Sequence, residues 1–439
     1  YNEEIALVKE TRRVVLDKGL QRLAVRDVSA RMRPETALLR GAAPANPLQL
    51  LEQNFDFDLL TPGKLLEKFI GRQVGVVTTH PTTGQETTER AEVLSTQEGV
   101  VLKIGNRIET GFPGRIVFDS VPPNLRDRPT LSVLLHSDVA GKQDVELSYL
   151  TGGLAWQADY VAELAANDAS LDLNGWVTLT NRSGAAYRDA KLQLVAGDVN
   201  RVRDDIKLRR RMPMEMEGMA MAEAAVTAQP LFEYHLYSLA RPTTLADNQT
   251  KQVSLLSAAR IPTMKELLLV GGDAYYRAEW GEVERNIKVD VYLEFENTKA
   301  AHLGMPLPKG VVRVYKKDDR ANAQFVGEDR IDHTPEGEKL RLHLGKSFDV
   351  TAERRQTDFI KRPSARVSDY AYESAYEIIL KNAKREAATV IVREPIPGQW
   401  KMLKESAPHA KVSASVAQWR VEIPPQGRVK LQYRVLVQF

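Results

Sequence analysis

Three neighbouring residues in the last third of the chain have side chains that bind divalent cations. Asp329, Asp332 and His333 lie close together in sequence, and carboxylate and imidazole groups at that density are suitable ligands for a metal ion. They are therefore the candidate centre of a metal-dependent hydrolase. The alternative is a turn between two strands, indicated by Thr334-Pro335, where acidic side chains are normally solvated.

A methionine-rich run in the middle of the chain offers a second set of candidate ligands. Thioethers are soft ligands that suit copper(I), and their spacing here would cluster three of them. The alternative is a loop or helical segment that docks on a partner, because methionine fills irregular gaps. The candidate metal ligands are Met212, Met214 and Met216, and the candidate docking residues are Met219 and Met221.

Two aromatic residues in one predicted strand are candidates for binding a partner. If exposed, Trp156 and Tyr160 could stack on sugar rings, which predicts a carbohydrate-binding protein. The alternative is that both rings lie in a hydrophobic core.

The remaining composition points away from catalysis and from several classes of partner. The seven histidines are dispersed without metalloprotease spacing, cysteine is absent, and no nucleophile elbow or phosphate-binding glycine loop occurs. We therefore expect no catalytic residues and no cofactor. The 61 basic and 58 acidic residues nearly cancel, which disfavours nucleic acid. No apolar run of about 18 residues occurs, so we expect no transmembrane segment.

The elements that must position these residues are predicted to be strands. At the end of the chain Leu431, Tyr433 and Val435 alternate with polar residues, and Leu293 and Phe295 alternate in the same way. A period of two places one set of side chains in a core and the other in water. The pattern predicts half-buried antiparallel strands.

A strand, an asparagine and a second strand follow one another three times. The three asparagines are Asn181, Asn297 and Asn382. Asparagine tolerates left-handed backbone and hydrogen-bonds to its own turn, so it is suited to the end of a strand. Strand pairs of this kind are typical of β-sandwiches.

One short helix is predicted, and short strands follow it. Thr61 can cap this helix, Pro62 occupies its first position, and Gly71 follows its end. We predict an all-β protein of several antiparallel, immunoglobulin-like β-sandwiches with a small inserted SH3- or Sm-like barrel. The predicted divisions are an N-terminal β domain beginning at 1–61, the barrel at 62–118, a β domain at 119–200, a charged and methionine-rich connector at 201–230, a central sandwich at 231–365 and a C-terminal sandwich at 366–439.

The chain is expected to be exported. The absence of cysteine suits an oxidising compartment. The chain opens with Tyr1 and enters a strand-like stretch almost at once, as expected after removal of a signal peptide that this sequence does not contain.

Several longer stretches resemble a bacterial family catalogued as domain of unknown function 4139, which includes the mucoidy-inhibitor-like proteins. The resembling stretches are residues 147–160, 175–181, 192–199, 233–237, 248–251 and 327–335, and residues 5–12 resemble the usual N-terminal part. The resemblance implies export and a β-rich fold, and it carries over no catalytic residues. Many relatives have a long coiled coil before the shared domain, where this chain has the predicted barrel.

These observations favour a non-catalytic protein of the bacterial periplasm or cell surface. Its expected partners are other envelope proteins or a second copy of itself, bound through sheet edges and loops. Envelope polysaccharide is the alternative partner, and hydrolysis by a bound metal is the third hypothesis.

Overall fold

The computed structural model describes the chain except for residues 2–3, 43–47, 57–59, 98, 112–113, 123–124, 198–225, 232–233, 319, 321 and 364–369. The described residues divide into two compact units. Unit 1 comprises Tyr1–Trp156, Leu179–Leu192 and Pro242–Lys251, and unit 2 comprises Gln157–Thr178, Gln193–Arg241 and Gln252–Phe439. The all-β prediction is confirmed.

The N-terminal part of unit 1 contains two three-stranded sheets, ordered β1-β11-β3 and β2-β10-β4. Its strands are β1 Ile5–Leu16, β2 Gly19–Arg26, β3 Leu38–Gly41, β4 Leu48–Asp56, β10 Thr130–Ser137 and β11 Gly141–Gly152. The two sheets share a core that includes Leu16, Val25, Leu39, Leu131, Val133, Leu135, Val145, Leu147 and Tyr149. A short 3-10 helix, Pro34–Thr36, precedes β3.

The predicted helix and barrel strands lie between β4 and β10. The helix α1 is Pro62–Lys68, and the Thr61 hydroxyl accepts a hydrogen bond from the backbone N–H of Lys64 at 3.2 Å. The strands are β5 Gln73–Thr79, β6 Glu86–Ser95, β7 Val101–Ile104, β8 Arg107–Glu109 and β9 Arg115–Val117, ordered β8-β7-β6-β5-β9. They enclose a separate core that includes Phe69, Val74, Val76, Ala91, Val93, Leu102 and Ile104. The capping prediction is confirmed.

Most of unit 2 belongs to one large sheet, which packs around a core that includes Leu267, Val289, Ile378, Val390 and Trp419. Its strands are β12 Leu154–Leu164, β13 Ser170–Asn181, β19 Gln249–Val270, β20 Glu282–Glu296, β21 Gly310–Lys317, β22 Ala323–Ile331, β23 Lys339–Pro363, β24 Tyr370–Asn382, β25 Ala388–Pro395, β26 Gln399–Glu405, β27 Ala410–Ser413, β28 Val416–Ile423 and β29 Arg428–Gln438. The order is β22-β21-β12-β13-β19-β20-β23-β24-β29-β26, with β25, β28 and β27 branching from β19. The pairs β12–β21 and β19–β25 are parallel.

Smaller sheets complete the described residues. The strands are β14 Tyr187–Ala190, β15 Gln193–Ala196, β16 Val226–Leu231, β17 Tyr234–Leu239 and β18 Thr243–Leu245, paired as β14-β18 and β15-β17-β16. A 3-10 helix, Asp273–Tyr276, lies between β19 and β20. None of the helices in the described part of the chain has the length and apolar character needed to cross a bilayer.

Three buried asparagines end strands with the same hydrogen-bond pattern, as the recurring sequence pattern predicts. Each side-chain amide donates to two or more backbone carbonyls across a turn, and each side-chain oxygen accepts a backbone N–H a few residues away. At distances of 2.8–3.1 Å, the amide of Asn181 donates to the carbonyls of Ala185 and Ala246, that of Asn297 to those of Met305 and Pro335, and that of Asn382 to those of Glu386 and Pro424. The side-chain oxygens of Asn181, Asn297 and Asn382 accept the backbone N–H groups of Ser183, Gly304 and Lys384, respectively. These bonds satisfy backbone groups that leave the strand ladders inside the protein.

Candidate interaction surface

The structure does not assemble the predicted metal site. The carboxylate of Asp329 accepts the backbone N–H of His343 at 2.7 Å, and Nδ1 of His333 accepts the N–H of Lys309 at 3.2 Å. Asp332 is exposed beside the turn. Among the described residues, no group of three or more histidine, aspartate or glutamate side chains could hold a metal ion. The structure therefore gives no support to the metal-site hypothesis for Asp329, Asp332 and His333, because Asp329 and His333 each accept a backbone N–H.

The two predicted aromatic contact residues lie inside the protein. Trp156 is 5% exposed and Tyr160 is fully buried, and the Tyr160 hydroxyl donates to the carbonyl of Pro308 at 2.7 Å. Strand β12 alternates so that Trp156, Ala158 and Tyr160 share its inner face. The structure gives no support to the prediction that these rings bind a partner, because the strand period directs them into the core.

The five candidate methionines cannot be placed. Met212, Met214, Met216, Met219 and Met221 lie outside the described residues. The end of the predicted connector, from Val226, forms strand β16. Both hypotheses for the methionines, metal binding and docking, stay predictions.

A buried ion pair is the most unusual polar group in unit 2. Arg354 and Glu394 are 1% and 0% exposed and lie 2.5 Å apart. The other carboxylate oxygen of Glu394 accepts the hydroxyl of Tyr276 at 3.0 Å, and this hydroxyl lies 2.9 Å from that of Tyr433. Burial alone would lower the pKa of Arg354, but the negative charge of Glu394 outweighs burial, so the pKa of Arg354 lies above its ordinary value. The pair is charged and enclosed, so it is not accessible to a ligand, and removing either partner would leave a buried charge without a counter-charge.

The segment between β19 and β20 is held against this ion pair. The amide of Gln356 donates to the carbonyl of Ala278 at 3.1 Å, and its oxygen accepts the N–H of Trp280 at 2.7 Å. The hydroxyl of Tyr376 donates to the carbonyl of Tyr275 at 2.5 Å. The sequence signal for this arrangement is the alternation on β23, which places Val350, Ala352, Arg354 and Gln356 on one buried face.

Exposed apolar side chains gather where β22 runs beside β23. The N–H of His343 reaches Asp329, and a Cβ added to Gly327 would lie 2.8 Å from the carbonyl oxygen of Leu344. The two strands are therefore antiparallel neighbours. In an antiparallel pair, the β22 residues that precede Gly327 are on the same side of this contact as the β23 residues that follow Leu344. At this end the exposed fractions are 54% for Phe325, 38% for Val326 and 86% for Phe348.

We call Tyr315, Phe325, Val326 and Phe348 the Phe348 patch. The rings of Tyr315 and Phe325 contact each other edge to face, with centroids 5.7 Å apart. Burying such rings against a partner releases water from apolar surface, and aromatic side chains are enriched among the residues that dominate protein–protein binding energy. The patch therefore has the chemistry of a protein interface.

A group of lysines lies around Asp168 in unit 2. Lys265 and Lys316 each contact a different oxygen of Asp168. Burial and repulsion by Lys265 lower the pKa of Lys384, and these effects outweigh the attraction of Asp349, Asp168 and Glu386. We call Lys265, Lys316 and Lys384, with Asp168, the lysine cluster.

The acid stability of the protein is expected to depend on Asp168. Burial alone would raise the pKa of its carboxyl, but Lys265 and Lys316 hold it below its usual value. Its stabilising contribution is therefore complete above about pH 4 and is lost as the pH falls through the lowered pKa. We expect Asp168→Asn to cost about 1–2 kcal/mol at neutral pH and little near pH 2, measured by urea unfolding.

Asparagine is a matched replacement at this position because Asp168 has φ 59°, which asparagine also tolerates. An equal loss of stability at both pH values would mean that the carboxylate charge is not the cause.

A groove of about 380 Å³ is lined by residues of β19 and β20 and of the segment after β20, among them Met264, Phe295 and Ala301. Its charged rim is already paired. Glu296 lies 3.3 Å from Lys339, and Glu294 lies 2.8 Å from Arg341. The Phe348 patch, whose largest ring is mostly exposed, is the better candidate for an interface.

Comparison with known proteins places most of the chain in a single family. Residues 145–439 match the model of a domain of unknown function, DUF4139. The chain belongs to this family. Searches of curated proteins and of solved structures found no match.

The surface features of unit 2 fall within the DUF4139 domain. The Phe348 patch, the lysine cluster and the buried Arg354–Glu394 pair all lie between residues 145 and 439. The helix α1 and strands β5–β9 precede the matched residues. Substitutions that test the function of the DUF4139 domain should therefore be made at these residues of unit 2.

Proposed function

We propose that this DUF4139 protein is a non-catalytic, exported protein of the bacterial cell envelope that acts as an interaction subunit of a cell-surface assembly. The observation that carries the proposal is the exposure of apolar side chains on the neighbouring strands β22 and β23, with exposed fractions of 54% for Phe325, 38% for Val326 and 86% for Phe348. Contiguous exposed apolar side chains are costly in water and are typical of binding sites. Export is supported by the sequence resemblance to exported bacterial proteins.

The non-catalytic role is supported by which side chains of unit 2 are buried and which reach solvent. Its buried ion pair, Arg354 and Glu394, lies in the core with Tyr276 and Tyr433 and does not reach solvent. The most exposed side chains of the Phe348 patch, Phe325, Val326 and Phe348, are apolar. Such a surface binds another macromolecule and contributes no acid, base or nucleophile.

Replacing Phe348 by serine is expected to abolish capture of a stoichiometric partner. The protein would be tagged in its native bacterium, extracted gently and purified, and co-purifying proteins would be quantified. Loss of one buried aromatic contact of this kind weakens binding by roughly 2 kcal/mol, about thirtyfold. The matched control is Val412→Ser, which removes a 56% exposed apolar side chain elsewhere in unit 2.

Both variants should unfold at the temperature of the unsubstituted protein, because both side chains are on the surface. A partner retained by Phe348→Ser, or a protein that purifies alone under every mild condition, would contradict the proposed function.

A further inference from the structure

Strand β1 of unit 1 has one free edge. The strand is 12 residues long and pairs with β11 on one side only, at the edge of the sheet β1-β11-β3. No other strand in the described part of the chain pairs with it. A free edge of this length is a template on which a further strand can add.

The hydrogen bonds on the far side of β11 fix the direction of its backbone groups. The N–H of Ala42, which directly follows β3, donates to the carbonyl of Asp144 at 2.8 Å, and the N–H of Arg33 donates to the carbonyl of Leu150 at 2.9 Å. Because β3 and β1 lie on opposite sides of β11, these carbonyls point away from β1. In an antiparallel sheet the N–H and C=O of one residue point to the same side of the strand, so both residues turn both groups away from β1.

The outward backbone groups of β1 belong to the residues whose side chains are exposed. Leu7 lies opposite Leu150 and Arg13 lies opposite Asp144, so these two residues of β1 form no hydrogen bonds with β11. The pairing runs along all of β1 without a bulge, so the same holds for every second residue. We call the exposed members of this set the β1 edge residues: Leu7, Lys9, Thr11, Arg13 and Val15.

The β1 edge residues present apolar side chains at both ends and positive charges between them. The exposed fractions are 58% for Leu7 and 68% for Val15. The side chains of Lys9 and Arg13 are 59% and 74% exposed. An added strand would therefore meet two apolar positions and, between them, two cations.

The carboxylates that contact these cations lie on β11. Lys9 is 3.0 Å from Glu146, which also contacts Arg40 of β3, and Arg13 is 2.9 Å from Asp144. Three cations therefore share two carboxylates, and both carboxylates are on the paired side of β1. The side chains of an added strand would lie on the opposite side of Lys9 and Arg13, about 5 Å away, where carboxylates would form cross-strand ion pairs.

The same charges disfavour pairing of β1 with the β1 of a second copy. In an antiparallel pair centred on Thr11, Lys9 of each copy would face Arg13 of the other, and in a parallel pair in register each lysine would face a lysine. Like charges directly opposite each other destabilise a sheet. The edge therefore favours an acidic strand over its own copy.

We propose that the free edge of β1 binds an extended segment of a protein partner as an added strand, with carboxylates of the segment against Lys9 and Arg13 and apolar side chains against Leu7 and Val15. Main-chain hydrogen bonds to the β1 edge residues supply affinity, and the side chains supply selectivity. This interface lies on unit 1 and goes beyond the proposed function, because it does not depend on the Phe348 patch.

The test uses the full chain and a fluorescein-labelled peptide of nine residues, with valine at both ends, glutamate at the third and seventh positions, and threonine elsewhere. This pattern is the same in both directions, so it suits parallel and antiparallel addition. Binding is measured by fluorescence anisotropy at low salt. The glutamate peptide should bind about tenfold more tightly than a peptide with lysine at the same two positions.

N-methylation of the glutamate peptide tests whether main-chain bonds hold it. One derivative is methylated at the nitrogens of its third and fifth residues, and the other at those of its fourth and sixth residues. Alternate N–H groups of a strand point to opposite edges, so one derivative should lose binding and the other should keep it.

Substitutions in the protein separate the charges from the free edge. Combining Lys9→Gln with Arg13→Gln should remove most of the preference for the glutamate peptide, whereas Lys103→Gln, at an exposed lysine on β7, should leave it unchanged. Thr11→Pro should abolish peptide binding, because it removes an outward N–H that the pairing with β11 does not use. Thr11→Val keeps this N–H and should bind as the unsubstituted chain does. The N-methylated peptides test the same bonds without altering the protein.

Three results would overturn the added acidic strand: no binding of the glutamate peptide, equal binding of the glutamate and lysine peptides, or equal binding of the two N-methylated derivatives. Self-association detected by sedimentation and lost in Thr11→Pro would make the occupant a second copy and would also overturn it. None of these results bears on the proposed function, which is tested by native capture with Phe348→Ser, and that variant should bind the glutamate peptide normally.

Discussion

Replacing Glu394 by glutamine is expected to destabilise the protein by about 3–5 kcal/mol, because it leaves the positive charge of Arg354 buried without a counter-charge. Glutamine preserves the shape of the side chain and can still accept the hydroxyl of Tyr276. Arg354 is 1% exposed, its Nε finds no acceptor among the described residues, and its guanidinium lies over the ring of Tyr275 at 5.2 Å. The remaining environment therefore cannot replace the carboxylate.

The measurement is the free energy of unfolding in urea at neutral pH. The control is Glu353→Gln, which breaks the ion pair with Lys381, where both side chains are more than a third exposed, and it should cost less than about 1 kcal/mol. Combining Arg354→Met with Glu394→Met should recover much of the loss, because two apolar side chains of similar volume need no charge partner. A cost of Glu394→Gln equal to that of Glu353→Gln would contradict the assigned role.

The backbone around Glu394 also restricts which residues are tolerated. A Cβ added to Gly271 would lie 2.0 Å from the Glu394 carboxylate. The N–H of Gly271 donates to the carbonyl of Arg393 at 2.8 Å, which keeps this glycine close to the carboxylate. The ion pair therefore requires a residue without a side chain at position 271.

Asn297→Ala is expected to cost about 3 kcal/mol of unfolding free energy. The change removes the donor for the carbonyls of Met305 and Pro335 and the acceptor for the N–H of Gly304, at a position that is fully buried. Each buried backbone group left without a partner costs about 1–3 kcal/mol, partly offset where water enters. Asn297→Asp should be at least as harmful, because a carboxylate would face two carbonyl oxygens.

The chain contains its own replicate and its own control for this prediction. Asn382→Ala should cost a similar amount, because its amide makes the same set of bonds and it is 2% exposed. Asn174→Ala should cost less than about 0.5 kcal/mol, because Asn174 is partly exposed and its bond is to the hydroxyl of Ser257. Similar costs at Asn297 and Asn174 would show that the buried turn bonds contribute little.

Local patterns were sufficient to predict strands, the helix and the asparagine turns. The alternation that ends with Val435 places Leu431 and Tyr433 in a core, and the Thr61–Pro62 pair begins the helix as expected. These features depend on the two-residue period of a strand and on cap bonds a few residues apart, so they are visible in a short window of sequence.

The residues of the candidate site are brought together by contacts between strands that are far apart in sequence, so a short stretch of sequence does not predict them. Arg354 and Glu394 are on different strands, and their pairing follows from the packing of those strands. Phe348 is exposed although an isolated phenylalanine in a strand predicts burial. The adjacency of β22 and β23, which carry Phe325 and Phe348, is a property of the tertiary structure, because these two strands are not paired in the sheet order.

The sequence by itself determined the all-β class, the strand alternation and the positions of the buried asparagine turns, since each follows from local hydrogen bonds and periodicity. It also carried the family resemblance, through stretches long enough to be specific. The tertiary structure alone decided that Trp156 and Tyr160 are buried, that Asp329, Asp332 and His333 form no metal site, and that Phe348 is exposed. Burial and proximity are properties of how distant strands pack, and a side chain's type does not specify them.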